Sequence, residues 1–143
     1  MAITPYLFFK GTCAEALKYY AKTLGGEIEM MMTYGEMPPG EDAPPSNVPP
    51  DAIMHASLKL PQGTILASDD MGPTTSHGMS GFMLTLTYPT VEEATRIYGE
   101  LAQGAQQIIL PIEKTFWSEA FGMLNDRYGT PWMVYAESPD QKS

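Results

Sequence analysis

The sequence predicts an α+β fold built from two copies of one β-α-β-β-β module. Two observations carry the prediction. Two helix starts match at an offset of 78 residues, TCAEALKYY from Thr12 and TVEEATRIY from Thr90. Around each, four stretches with strand character follow in the same order, one before the helix and three after it. Helices that each carry one apolar stripe bury it against a sheet, which leaves the sheet's second face free for another role.

The first copy opens with YLFF (Tyr6–Phe9), an apolar run short enough for a strand. The helix after it carries T-x-x-E at Thr12 and Glu15, the pattern in which each side chain satisfies a backbone N–H of the other residue. Leu17, Tyr20, Ala21 and Leu24 form its apolar stripe, and Gly25-Gly26 ends it. Strands are expected over 27–34, 52–60 and 63–70. Between the first two of these lies the Pro-rich loop 36–51, with six of the thirteen prolines. Such a stretch lacks the N–H groups of a sheet ladder and reads as an extended connection. The second copy repeats the plan: a strand over 81–88, a helix with T-x-x-E at Thr90 and Glu93 and a stripe of Ala94, Ile97, Tyr98 and Leu101, then strands over 106–113, 119–127 and 129–137. The last two strand pairs match at an offset of 66, through Gly63-Thr64 and Gly129-Thr130. Module one is therefore about 5–70 and module two about 81–137, within a single domain over 1–143; a frayed tail begins near Ser138.

Composition narrows the function. The chain has 143 residues and a formal charge of -9, which repels a phosphate backbone, so nucleic acid is not an expected partner. No apolar run approaches the roughly 20 residues of a membrane span, and the N-terminus lacks the basic and apolar regions of a signal peptide. The single cysteine, Cys13, forms no intramolecular disulfide, which points to the cytoplasm. Eleven methionines suit either a core or an adaptable pocket.

Three segments together carry a resemblance: PYLFFKGTCAEALKYYAKTLGGEI, then IMHASLKL with LASDD, then FWSEAFGMLNDRYGTPWMVY. Over about Pro5 to Tyr135 the chain resembles the PhnB-like branch of the vicinal oxygen chelate superfamily, which includes glyoxalase I, bleomycin-resistance proteins and extradiol dioxygenases. The resemblance implies paired modules forming a curved mixed sheet around a cavity, and a homodimer. Sequences of this kind are sometimes labelled ubiquinone-pathway methyltransferases; no strand here runs into a Gly-rich turn suited to S-adenosylmethionine.

Side-chain alternation assigns the sheet faces. Phe82, Leu84 and Leu86 are placed under the helices, leaving Met83, Thr85 and Thr87 toward the cavity. Met54, Ala56, Leu58 and Leu60 form the helix-side set of their strand, leaving Ile53, His55 and Ser57. The offset of 66 then puts Phe121, Met123 and Asn125 on the cavity side, and matches Ile65, Ala67 and Asp69 to Pro131, Met133 and Tyr135. Enzymes of the superfamily hold a divalent metal with four cavity-facing ligands. Carried over by the resemblance, these fall on Pro5, Ala67, Met83 and Met133, none of which supplies the imidazole or carboxylate such an ion wants. No metal or other cofactor is expected.

The expected ligand-facing residues are His55, Asp69, Met83, Trp117, Phe121, Met123, Met133 and Tyr135, lining an apolar cavity for a small organic ligand. The alternative is a metal-dependent glyoxalase-like lyase, isomerase or dioxygenase with a displaced site on His55 and Asp69, and Asp126 at its rim. Against it, His55 reads as a hydrogen-bonded strand histidine and Asp69-Asp70 as the opening of a turn. His77 reads as a solvated loop residue. Trp117 either closes the pocket mouth or anchors the core or a dimer interface. Met30-Met31-Met32 fills a strand, because consecutive residues point to opposite faces and three sulfurs there do not converge. Cys13 lies in a first helical turn, where the macrodipole lowers a thiol pKa, but its counterpart Val91 favours packing.

Overall fold

The computed structural model describes residues 3–36, 49–70 and 79–137. His77 and most of the Pro-rich loop lie outside these residues. Among them, no helix is long and apolar enough to cross a membrane. The chain divides into two compact units, Met1–Gly78 and Met79–Ser143.

The first unit runs β1 (Tyr6–Phe9), α1 (Cys13–Leu24), β2 (Glu27–Thr33), a 3-10 turn (Tyr34–Glu36), β3 (Ile53–Leu60) and β4 (Gly63–Asp69). Its sheet has the order β1-β4-β3-β2, with β1 parallel to β4 and the other neighbours antiparallel. The second unit repeats this with β5 (Leu84–Tyr88), α2 (Val91–Ala102), β6 (Gln107–Glu113), β7 (Ala120–Asn125) and β8 (Pro131–Ala136), in the order β5-β8-β7-β6. Both predicted modules are therefore present as α+β units with a four-stranded mixed sheet.

Each sheet buries one face under its helix. Leu17, Tyr20 and Leu24 of α1 are buried, as are Ala94, Ile97, Tyr98 and Leu101 of α2. Each large apolar side chain so covered contributes roughly 1.5–3 kcal/mol. Gly122 of β7 lets Tyr98 approach the sheet: a Cβ there would lie 2.7 Å from the Tyr98 ring and 2.9 Å from Ile112. The Tyr98 hydroxyl then donates to the Leu110 carbonyl at 3.0 Å.

The two T-x-x-E motifs behave differently. Thr90 Oγ1 accepts from the Glu93 N–H at 3.1 Å, as the pattern predicts. Thr12 makes no side-chain cap bond, contrary to expectation. Its place is taken by Asp69, whose Oδ1 accepts from the N–H groups of Gly11 and Cys13, both at 2.9 Å. A carboxylate brought by β4 has displaced the local cap.

Strand alternation holds in β5 and β7 but slips by one in β4. Val134 pairs with Leu86 and Gly122, and Ala67 with Leu7 and Ala56, so Val134 and Ala67 are equivalent at an offset of 67 rather than 66. The cause is the β7–β8 turn. The β3–β4 hairpin closes from Leu60 to Gly63 across two residues. Its counterpart closes from Asp126 to Thr130 across three, with the Asp126 N–H donating to the Thr130 carbonyl at 2.9 Å. One extra residue shifts everything beyond it by one, and one residue inverts a strand's faces. Ile65, Ala67 and Asp69 thus face α1, and Leu66 and Ser68 take the free face. Two further expectations change: Ile53 is buried at 2% exposure, and Phe82 is 43% exposed, because pairing of β5 begins only at Leu84 opposite Trp132.

Candidate functional site

The helix-free face of the second sheet carries most of the residues singled out from sequence. Met123 of β7 lies directly opposite Met133 of β8, and Phe121 opposite Tyr135. Cross-strand partners share a face, so these four side chains form one patch. Thr85 of β5 flanks Met133 and donates its hydroxyl to the Met133 sulfur at 3.9 Å. Met83 precedes β5 and is half-buried.

Trp117 joins this patch through the β6–β7 connection, which is tightly pinned. The Thr115 N–H donates to the Ser118 carbonyl at 2.9 Å, and the Ser118 N–H to Thr115 Oγ1 at 3.1 Å. The Ser118 hydroxyl sits 2.7 Å from the carbonyls of both Ala120 and Ala136. The two residues between these anchors are thereby held outward, Phe116 at 97% and Trp117 at 42% exposure. Trp117 meets Phe121 edge-on at 5.3 Å, and Phe121 lies 6.3 Å from Tyr135. At this exposure Trp117 is no core anchor.

The first sheet's free face bears a separate cluster. Tyr6 Oη and His55 Nδ1 are hydrogen-bonded at 3.0 Å, with the rings 5.6 Å apart, and the Phe8 ring lies 5.0 Å from that of Tyr6. Asp69 is not part of this cluster. It lies on the opposite face, 2% exposed, and its Oδ2 accepts a third backbone N–H, from Ile53 at 2.9 Å. The carboxylate joins the start of α1 to the start of β3, so the displaced acid–base pair of His55 with Asp69 does not assemble.

Asp126 holds an analogous post in the second unit. Its Oδ1 accepts from the N–H groups of Tyr128 at 2.8 Å and Thr130 at 3.0 Å, and its Oδ2 from the Trp132 indole at 2.8 Å. Asp126 and Trp132 are both buried. Bonding two residues ahead is a turn-forming habit of aspartate, and that signal was present in N-D-R-Y-G.

Burial pushes the Cys13 thiol up to about 12, with the neighbouring Asp69 carboxylate adding to the effect. Desolvation thus outweighs the helix dipole, which disfavours the thiolate form. A shallow cavity of 280 Å³ lined by Gly25, Gly26, Glu27, Lys59, Leu60 and Pro61 contains none of the predicted site residues.

The positions that the resemblance assigns to a divalent metal do not suit one. By resemblance these fall on Pro5, Ala67, Met83 and Met133; the observed register instead sets Thr85 beside Met133 and moves the matching points of the first unit to Leu66 and Tyr6. A thioether, a neutral hydroxyl, an alkyl group and a phenol are no donor set for a hard or borderline ion. Among the described residues, no three His, Cys, Asp or Glu side chains gather where they could hold a metal.

Comparison with known proteins gives a consistent kinship. A family model described as 3-demethylubiquinone-9 3-methyltransferase matches residues 1–135. Protein YjdN of Escherichia coli K12 is 38% identical over 140 residues, covering 94% of each chain. The crystal structure of protein PA1353 from Pseudomonas aeruginosa matches with a TM-score of 0.83 and 37% identity, over 96% of this chain and 98% of that one. A Bacillus cereus structure described as a putative 3-demethylubiquinone-9 3-methyltransferase, PhnB protein, matches with a TM-score of 0.79 and 27% identity, over 95% and 99%. A glyoxylase/bleomycin resistance protein/dioxygenase domain from Frankia shares the fold, with a TM-score of 0.64 at 14% identity, over 97% and 93%.

Proposed function

The chain belongs to this family, the PhnB-like branch of the vicinal oxygen chelate superfamily, and on that premise we propose that it binds a small organic molecule without a divalent metal. The ligand rests on the free face of the second sheet, against Met123, Met133, Phe121, Tyr135 and Trp117, with Met83 at the margin. The protein acts in the cytoplasm as a homodimer. One observation carries the reading: the helix-free face of the second sheet bears two opposed methionines and a run of rings. Thioether and aromatic surfaces adapt to flat apolar ligands of varied shape.

Methyl transfer, named in the family's description, has little support in the strand-to-helix connections. Phe9 reaches Cys13 through a segment with the single Gly11, and Tyr88 reaches Val91 through Pro89-Thr90, with no glycine. Neither makes the Gly-rich turn that cradles a nucleoside cofactor. The metal-dependent lyase, isomerase or dioxygenase with a displaced site is also weakened, since His55 and Asp69 lie on opposite faces of their sheet.

Protein purified without chelators is the test, by elemental analysis and native mass spectrometry. The expected result is no stoichiometric metal and a co-purified or readily captured organic compound. One tightly held Ni, Zn, Fe or Mn per chain would overturn the proposal.

A further inference from the structure

We propose that the ligand of this face is an organic cation with a flat aromatic body. The inference rests on the binding reading above and names the chemical class it takes. Glu113, the last residue of β6, pairs directly with Phe121 of β7. A bulge between Leu110 and Glu113 restores the phase of the strand after Pro111, so the Glu113 side chain shares a face with Phe121, and hence with Tyr135 and Trp117.

That carboxylate is exposed and has no hydrogen-bond or ion-pair partner among the described residues. The nearby cation is already engaged: Lys114 reaches Glu119, with Nζ to Oε2 at 3.9 Å. Ring faces attract cations through their quadrupole, indole most strongly. Here a pinned, 42% exposed indole, a phenyl ring and a phenol stand in series beside an unpaired carboxylate. The rings take the flat body and the carboxylate takes the charge. A neutral ligand would leave Glu113 unused, and an anion would meet both Glu113 and a chain of net charge -9.

The test uses two probes of nearly identical shape, 1-methylquinolinium and 1-methylnaphthalene, titrated into the full-length protein. The readout is the Trp117 indole N–H resonance, assigned with Trp117→Phe. The cation is expected to bind about tenfold more tightly than its neutral isostere. Its affinity should fall with salt, and Glu113→Gln should cut the preference severalfold, to what the rings alone supply. Trp117→Ala should weaken both probes. Equal binding of the two probes overturns the cation class, and a preference undiminished in Glu113→Gln overturns the part given to Glu113; either result leaves the binding proposal standing. Failure of both probes at millimolar concentration overturns the binding proposal as well.

Discussion

Replacing Asp69 separates a structural carboxylate from a ligand-binding one. Its two oxygens accept three backbone N–H groups, from Gly11, Cys13 and Ile53, each at 2.9 Å. In Asp69→Asn the amide oxygen can keep the two bonds made by Oδ1, but the amide nitrogen then confronts the Ile53 N–H, donor against donor. Losing one charge-assisted bond and stranding a buried donor costs about 3 kcal/mol. Asp69→Ala strands all three donors, and about 3–6 kcal/mol is expected. Against a total stability of roughly 5–15 kcal/mol, either loss is large. Both tryptophans lie in the second unit, so their fluorescence is a poor reporter of this change. Cys13 is the better probe, because it sits fully buried beside Asp69. Labelling of its thiol by a disulfide reagent at neutral pH should be about a hundredfold faster in Asp69→Asn, since 3 kcal/mol of local opening is roughly two decades. Urea unfolding followed by circular dichroism should show a matching fall in midpoint. Labelling and midpoint both unchanged in Asp69→Asn, together with lost ligand binding, would refute the structural assignment and return Asp69 to the site.

The two helix caps allow a contrast within one molecule. Thr90→Ala should cost about 1 kcal/mol in urea unfolding, because it deletes the bond to the Glu93 N–H, whereas Thr12→Ala should stay within about 0.5 kcal/mol. Equal costs would contradict the assignment of the α1 cap to Asp69. Cys13 makes a pH prediction. Its folded pKa of about 12 lies above the ordinary 9.0, so between these values the unfolded chain binds fewer protons than the folded one. The stability present below pH 9 is therefore lost as pH rises toward 12. At pH 10 the loss is on the order of 1 kcal/mol relative to neutral pH. The same loss in Cys13→Ala would assign the effect to other groups.

Much of the fold was legible in local signals. The paired helix starts, the apolar stripes and the order of strands arise from spacings of three, four and two residues, which a linear sequence displays directly. The patch around Met123, Met133, Phe121 and Tyr135 was legible too, since alternation within one hairpin reaches all four. Asp69 was misplaced for a physical reason. Its face depends on a turn one residue shorter than its counterpart, and no local feature of LASDD reveals that. Glu113 was passed over because Pro111 and the bulge obscure the phase of its strand.

The sequence by itself determined that two modules exist and which helix faces are apolar. Those properties belong to residue type and short-range spacing. Only the tertiary structure decided that Asp69 is a structural carboxylate. Asp69 finds its backbone donors by reaching other elements of the chain, across 56 residues to Cys13, whereas Asp126 takes its own from the turn that follows it. Whether a charge is satisfied depends on what lies near it in space, and that is settled only once the strands are paired.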